Sequence, residues 1–238
     1  MCGRFALLTH AEALIKRFGV EEVIKRPEPK YNIAPSQNVT VVVQRETRQL
    51  TEMRWGLIPS WAEDVSIGNR LINARVETVS EKPAFRSALK KRRCLILADG
   101  FYEWKKVGKT KIPTHIRLKN REPFAFAGLY EFWKTKSGKI LESCTILTTA
   151  PNDVMIPIHD RMPVIMSSAS EAVWLNPENQ DPSELMPLLK PYKSEKMEAF
   201  EVSEFVNSPR NQGPLCTKPV NTTLLNFSEG LGVPSGSA

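Results

Sequence analysis

Short apolar segments separated by loops recur along this chain, and they constrain its fold more than any other feature. Residues 39–43 are mostly β-branched, and Met53 and Trp55 alternate with the polar Arg54, a period-two pattern typical of strands. Strand candidates lie at 2–8, at 38–55 as two strands around a polar turn, and at 94–98, 101–104, 114–118, 124–128, 144–148, 163–166 and 197–202. Since strands outnumber helices, we predict a mainly antiparallel, distorted barrel-like α+β single domain with short flanking helices.

Short helices are predicted around this sheet. Residues 9–12 have the spacing of a capping box, with Thr9 as the capping residue and Glu12 three positions later. A helical apolar stripe follows over 11–18, and Gly19 is placed to end it. The other helix candidates lie at 83–89, 169–175 and 182–189.

Length and composition bound the domain and its surroundings. The 238 residues suffice for one substantial core, which we assign to 2–221, while 222–238 is rich in Gly, Ser and Pro and is predicted to be a flexible tail. Nothing resembles a secretory signal or an apolar run of about 18 residues, so we expect a cytoplasmic protein with reduced cysteines and no membrane partner. The 4 cysteines and 3 histidines lack metal-ligand spacing, so no metal and no cofactor is expected.

The charge balance points to a class of partner. With 33 Lys and Arg against 26 Asp and Glu, the net charge is +7, which favours polyanionic partners over acidic proteins or cationic ligands. Several lysines fall in the runs 90–93 and 105–111, for which a solvated surface is the alternative explanation.

Cys2 stands between Met1 and Gly3, and this position offers chemistry that an internal cysteine lacks. Removal of Met1 would leave one residue with a free α-amine, whose pKa is about 8, beside a thiol. An aldehyde meeting this pair forms an imine at nitrogen and then takes sulfur at the same carbon, which closes a thiazolidine ring. The alternative is that Cys2 is a small apolar residue at a chain end.

Polar segments that interrupt apolar strands supply further candidates. Asn73 and Arg75 share one face if their segment is extended, and an amide there is suited to orient an amine. Glu103 lies among aromatic residues that would desolvate it and raise its pKa into the range for acid/base catalysis. His159 offers an imidazole beside the carboxylate of Asp160 and the guanidinium of Arg161. Each has a structural alternative: a backbone bond for the amide, an ion pair for the arginine or glutamate, and a turn cap for the histidine.

Aromatic and proline residues in loops suggest contacts with bases. Trp55 and Trp61 flank a Gly/Pro turn, and we predict that Trp55 belongs to the core while Trp61 is exposed as a stacking platform. Stacking of a base on an aromatic ring contributes about 1–3 kcal/mol and tolerates any sequence, which suits single-stranded nucleic acid. Pro35 is a rigid loop residue suited to wedge against a base.

Together these segments resemble the SRAP family, the SOS response-associated peptidases or abasic-site processing proteins. The resemblance covers about residues 2–221, and no position that matters departs from the family pattern. Its motifs are Met-Cys-Gly-Arg-Phe at 1–5, Tyr-Asn-Ile-Ala-Pro at 31–35, Trp-Gly at 55–56, Pro-Ser-Trp at 59–61, and the segments 69–78, 98–104 and 158–163.

The resemblance implies an SRAP fold and a sensor of abasic sites in single-stranded DNA. Cys2 would crosslink to the ring-opened sugar aldehyde and so protect the lesion during the DNA damage (SOS) response. Asn73 would orient its amine, Glu103 would assist proton transfer and ring opening, and His159 would act on the sugar oxygen. The remaining site residues would contact DNA: Arg4, Arg75 and Arg161 at phosphates, and Trp61 with Pro35 at bases.

Further properties follow from the same resemblance. Weak abasic-site lyase activity by β-elimination is expected from the imine stage, and removal of Met1 by self-cleavage would account for the peptidase label. The expected partner is single-stranded DNA that contains abasic sites, bound by a monomer that associates with the nucleoid at damaged DNA.

Two other classes of function stay open on the sequence. An N-terminal cysteine before glycine also begins class II glutamine amidotransferases, although their usual synthase domain is absent and the segments around Glu103 and His159 do not match them. A noncovalent binder of single-stranded DNA needs only Trp61 and the arginines. This alternative leaves Cys2, Asn73 and Glu103 unexplained.

Overall fold

The structure, a computed structural model, describes residues 2–220, so the tail predicted at 222–238 lies outside the described residues. The strands are β1 (Phe5–Leu7), β2 (Glu22–Val23), β3 (Lys30–Ile33), β4 (Asn38–Gln44), β5 (Arg48–Trp55), β6 (Asn73–Arg75), β7 (Arg93–Ala98), β8 (Gly100–Val107), β9 (Thr110–Leu118), β10 (Phe124–Lys134), β11 (Ile140–Thr149), β12 (Met162–Pro163) and β13 (Met197–Glu201). The α-helices are α1 (Ala11–Phe18), α2 (Arg86–Lys91), α3 (Ser168–Leu175) and α4 (Pro182–Leu185). Short 3₁₀ helices span Val65–Arg70, Val76–Thr78, Met186–Leu188, Ser194–Lys196, Glu204–Asn207 and Pro214–Cys216.

The larger sheet closes into a barrel. Its strands follow the order β12-β11-β10-β7-β4-β5-β2, and β6 is added alongside β11. A parallel pairing of β11 with β5, in which Cys144 lies opposite Trp55, joins the two ends of the run β11-β10-β7-β4-β5. Closure removes the exposed edges that these apolar strands would otherwise present to solvent. The predicted barrel-like α+β fold is confirmed.

A second, five-stranded sheet packs against the barrel in the order β13-β9-β8-β1-β3. Phe5 of β1 and Phe101 of β8 carry the contact: Phe5 lies 5.1 Å from Trp55 between ring centroids, and Phe101 lies 6.0 Å from Phe126. Both pairs are edge-to-face, an arrangement that adds attraction beyond the apolar area they bury. This contact holds the N-terminal strand against the barrel wall.

Helix α1 forms where its apolar stripe predicted, and Gly19 ends it with a positive φ of 61°. The predicted capping box is wrong, because His10 is the capping residue and makes no side-chain cap bond. Thr9 is engaged by Asp99 instead: its hydroxyl donates to Oδ1 at 2.6 Å and its backbone N–H donates to Oδ2 at 2.8 Å. Asp99 thereby fastens the turn before β8 to the chain that leaves β1.

Two glycines bring the loop after β5 close to the next segment. Gly56 has a φ of 122°, and a Cβ atom on it would lie 2.6 Å from the carbonyl oxygen of Gly68. Any side chain at either position would push the 3₁₀ helix Val65–Arg70 away from the end of β5. This close approach sets the path of the chain toward β6.

Other elements differ from prediction mainly in their boundaries. The helix predicted at 83–89 forms at Arg86–Lys91, and the strand predicted at 163–166 is the short β12. Strands β2 and β3 were not predicted, because each is too short to show an alternating pattern. Within residues 2–220, no helix is long and apolar enough to cross a membrane.

Candidate active site

Cys2 and Asn73 are in direct contact. Cys2 is fully buried just before β1, and the side-chain amide of Asn73 donates to its backbone oxygen at 2.8 Å. The parallel pairing of β6 with β11, which places Asn73 opposite Ile146, holds this amide at the edge of the barrel. The Oδ1 atom of Asn73 is buried and has no hydrogen-bond partner among residues 2–220. An acceptor is therefore available beside the Cys2 backbone.

Glu103 approaches Cys2 from β8. Strands β1 and β8 pair with Phe5 opposite Phe101, and the Tyr102 N–H donates to the Arg4 oxygen at 2.9 Å, so Glu103 is carried alongside the N-terminal strand. Glu103 is only 4% exposed, and this burial raises the pKa of its carboxyl group. Burial and the nearby Glu103 carboxylate raise the pKa of the Cys2 thiol as well. The predicted desolvation of Glu103 is confirmed.

His159 completes the group from the loop before β12. It is half-buried, and the backbone N–H of Arg161 donates to its Nδ1 at 3.0 Å. Asp160 Oδ1 also lies 2.8 Å from Nδ1, but its side chain is 85% exposed and the contact is weak. The charge of His159 acts on Glu103, where it opposes the rise in pKa.

Glu103 and His159 line a surface pocket. Its lining residues are Arg4, Glu103, Trp104, Lys111, His159 and Asn207. Arg4 lies two residues after Cys2 and stacks its guanidinium 5.5 Å from the centre of the Trp104 ring. Half-burial lowers the pKa of Arg4, yet an arginine stays charged in proteins at neutral pH. The pocket therefore combines one buried carboxyl group with cationic walls.

The Arg4 side chain is held in place by Asn32, which sequence reasoning did not select. Asn32 Oδ1 accepts from Arg4 Nη1 at 2.7 Å. Its amide nitrogen donates to the backbone oxygens of Val206, Ser208 and Asn211 at 2.9–3.1 Å. A fully buried amide with every polar atom bonded is a strong positioning element. Its only sequence signal is its place in the motif at 31–35.

Arg75 and Arg161 sit in different environments. Arg75 is exposed at the end of β6. Arg161 forms a two-pronged ion pair with Glu77, at 2.6 and 2.9 Å, and its side chain is only 13% exposed. Glu77 therefore occupies the two terminal nitrogens of the guanidinium that was expected to bind phosphate. The DNA-binding roles of both arginines stay predictions.

Trp61 and Pro35 lie on loops away from the strands. Trp55 is fully buried and Trp61 is 60% exposed, which confirms the predicted division between core and surface. Pro35 is half-buried and precedes Ser36, whose φ of 72° is unusual for a residue with a side chain. Arg54 holds this turn by donating to the Ser36 oxygen at 2.6 Å. Contacts of Trp61 and Pro35 with DNA stay predictions.

The structure thus links the four predicted catalytic residues through pairwise interactions: Cys2 with Asn73 and Glu103, and Glu103 with His159. Of the predicted DNA-binding residues, Arg4 lines the same pocket. Sequence reasoning missed Trp104, Lys111 and Asn207 as lining residues. Trp104 belongs to the predicted strand 101–104. Neighbouring side chains of a strand alternate between its faces, so the pattern alone gave no reason to place Trp104 and Glu103 in one pocket.

No group of three His, Cys, Asp or Glu side chains suited to a metal ion occurs in the described part of the chain. Residues 1–209 match the family model described as SOS response associated peptidase (SRAP). The chain belongs to the SRAP family. The resemblance seen in the sequence is thereby confirmed.

Relatives of this SRAP protein span bacteria and vertebrates. The abasic site processing protein YoqW of Bacillus subtilis (strain 168) is 52% identical over 218 residues, which cover 90% of this chain and 97% of that protein. The abasic site processing protein HMCES of Gallus gallus is 31% identical over 243 residues, which cover 88% of this chain and 69% of that protein. A crystal structure of a Bacteroides thetaiotaomicron protein has a TM-score of 0.83 at 28% identity, and the match covers 92% of this chain and 100% of that one.

Proposed function

We propose that this protein processes abasic sites in single-stranded DNA by forming a thiazolidine crosslink through Cys2 during the response to DNA damage. The observation that carries the proposal is the contact between Cys2 and Asn73 near the buried Glu103, which lines a pocket with a cationic wall. The names of the relatives, which are abasic site processing proteins, support the substrate.

Removal of Met1 prepares the nucleophile. Hydrolysis of the Met1–Cys2 peptide bond, with one water consumed, converts an amide nitrogen, which is not nucleophilic, into an α-amine. The amine attacks C1′ of the ring-opened sugar, and the carbinolamine loses water to give an imine. The Cys2 S–H then adds across the C=N bond, with sulfur on carbon and the proton on nitrogen. The sum is one aldehyde, one amine and one thiol converted to a thiazolidine and one water.

Asn73 orients the amine during this sequence. Its amide N–H already holds the Cys2 carbonyl, and its buried Oδ1 is suited to accept a hydrogen from the new amine. Two bonds from one side chain to a single residue would restrict rotation about the Cys2 backbone. Such positioning lowers the entropic part of the barrier.

Glu103 and His159 move protons. Because burial raises its pKa, Glu103 retains its proton to higher pH than an exposed glutamate and is suited to protonate the departing hydroxyl of the carbinolamine. His159 lines the same pocket, and in its protonated form it is suited to donate a proton to the sugar ring oxygen as the ring opens.

The same groups explain a weak lyase activity. An imine at C1′ acidifies the C2′ hydrogen, and the Glu103 carboxylate would remove it, with expulsion of the 3′ phosphate. Closure of the thiazolidine ring ends this side reaction, because it consumes the imine. Crosslinking and strand cleavage therefore compete for one intermediate.

DNA contacts surround this centre. Arg4, at the wall of the pocket, and the exposed Arg75 would contact phosphates. Arg161 would join them by exchanging its bond to Glu77 for a phosphate. Trp61 offers an exposed ring for stacking, and Pro35 a rigid wedge, so that binding does not depend on the base sequence.

Intact-protein mass spectrometry tests the proposal. The purified protein is measured alone and after incubation with a single-stranded oligonucleotide that carries one abasic site. We expect loss of the Met1 mass and a heat-stable adduct equal to protein plus oligonucleotide minus one water. A protein that lacks Met1 yet forms no adduct would refute crosslinking, and glutaminase activity in that protein would favour an amidohydrolase.

A further inference from the structure

We propose that the hairpin formed by β8 and β9, the lysine hairpin (residues 105–111), binds the phosphate backbone of the DNA strand that flanks the lesion. The proposal deepens the proposed function and rests on it for the identity of the polyanion. It concerns a surface outside the reaction centre, where Lys105, Lys106, Lys109 and Lys111 are grouped.

The hairpin starts at the pocket and leads away from it. Glu103 and Trp104 line the pocket, and β8 continues to Val107 before a turn at Gly108, whose φ is 59°. Strand β9 returns from Thr110 and brings Lys111 back to the pocket wall. At about 3.3 Å per residue, the hairpin tip at Gly108 lies about 17 Å from Glu103 along the strand. A chain of phosphates that leaves the pocket on this side therefore runs beside it.

The register sets like charges against each other. Lys106 lies directly opposite Lys111 in the β8–β9 ladder, so both side chains emerge on the same face as Trp104. Directly opposed like charges destabilise a pair of strands, whereas an opposed Glu or Asp would have been stabilising. A polyanion bound across this face would relieve the repulsion.

The described residues supply no counter-charge. Among residues 2–220, none of these four lysines has a carboxylate within ion-pair distance, although many surface arginines do. Lys106, Lys109 and Lys111 are exposed and Lys105 is half-buried. A solvated face would account for exposure, but not for a concentration of one sign that begins at the wall of the pocket.

Oligonucleotides of different length distinguish binding at this surface from binding at the reaction centre. The rise of about 3.4 Å per nucleotide in a B-form strand is measured along the helix axis, and an extended single strand spans more than this, so about 17 Å corresponds to fewer than about five nucleotides. An oligonucleotide with a single nucleotide on each side of an abasic site reaches the pocket but not the hairpin tip. One with ten on each side reaches both.

The test compares the double variant Lys106→Gln and Lys109→Gln with wild type, using both oligonucleotides and an undamaged long one. The control variant is Lys90→Gln with Lys91→Gln, which removes the same charge from α2, a helix that packs on β7 and β10. For single strands each phosphate contact contributes about 0.7 to the slope of log K against log salt. We expect the hairpin variant to lose about 1.4 from this slope on the long oligonucleotides, and the control variant to match wild type.

Two results would overturn the proposal. One is a slope that falls equally in the hairpin and control variants, which would show a general charge effect. The other is an equal fall on the short and long oligonucleotides, which would place these lysines at the lesion. The undamaged oligonucleotide keeps the two proposals separate: if the abasic oligonucleotides form no adduct but the slope difference persists, crosslinking fails while the DNA-binding hairpin stands.

Discussion

The reaction centre (Cys2, Asn73, Glu103 and His159) and the rim (Pro35, Trp61 and Arg75) are built in different ways. Asn73 and Glu103 lie on strands, and their backbones are held by ladder pairings, while Cys2 lies three residues before β1. Residues of the rim lie on loops or at the end of a short strand: Pro35 is half-buried, Arg75 is exposed and Trp61 is 60% exposed. Under the proposed function, the centre carries the chemistry and the rim carries the affinity for DNA.

The two regions are joined through shared elements, so the division is testable. Asn73 in the centre and Arg75 in the rim belong to the same strand, β6, with side chains on one face. A change in the centre should alter rates and leave affinity for DNA nearly constant, whereas a change in the rim should do the reverse. Variants that mixed the two effects would show that the regions act as a single unit.

Loss of the Cys2 thiol should have the largest effect. We expect Cys2→Ala to form no heat-stable adduct while DNA affinity is retained, because the α-amine alone stops at the imine. Trapping with borohydride should still capture that imine, and strand cleavage should increase since no ring closure competes. A heat-stable adduct in Cys2→Ala would exclude the thiazolidine and would remove Cys2 from the centre.

Loss of proton transfer at Glu103 should come next. Glu103→Gln keeps the shape of the side chain but transfers no proton, so crosslinking should slow about 100-fold or more. The wild-type rate should also decline as pH rises through the raised pKa of Glu103, and the variant should lack this decline. Single-turnover rates across pH, with affinity measured in parallel, provide the check. Equal pH profiles would assign the proton transfer elsewhere.

A smaller effect is expected from the rim. Trp61→Ala should weaken binding of single-stranded DNA by about 1–3 kcal/mol, which is the contribution of one stacked base. At saturating DNA the crosslinking rate should equal that of wild type, since the centre is intact. Trp61→Phe, which keeps an aromatic ring, is the matched control and should retain most of the affinity. A slower rate at saturation would contradict the division between the regions.

The smallest effect concerns stability. Burial raises the pKa of Glu103, so its stabilising contribution is present in full below the unfolded value of about 4.3 and is lost as pH rises through the folded pKa. Glu103→Gln should therefore melt at a higher temperature than wild type at pH 8, with the difference vanishing toward pH 4. Each kcal/mol corresponds to about 2–4 °C for a domain of this size.

A second buried carboxylate provides the contrast for this measurement. Glu131 accepts an ion pair from Arg92 at 2.7 Å, so Glu131→Gln should lower the melting temperature rather than raise it. If Glu103→Gln also lowered the melting temperature at pH 8, the buried carboxylate would stabilise the folded protein. Its burial would then carry no cost in stability.

Local sequence patterns were sufficient for features that depend on near neighbours. The stripe of α1, its end at Gly19 and the burial of Trp55 followed from periodicity and turn chemistry. The capping box failed because Asp99, some 90 residues away, takes the Thr9 hydroxyl. A local motif is a reliable guide only when no distant partner competes for the same group.

The sequence by itself determined the residue types of the candidate site, the strand-rich fold class and the family. Only the tertiary structure decided how these parts meet: the parallel pairing of β5 with β11 that closes the barrel, and the contact of Asn73 with Cys2 across 71 positions. The same holds for Asn32, which fixes Arg4. Periodicity reports which face of an element is apolar, but the pairing of distant strands depends on the packing of the whole core, which no local pattern encodes.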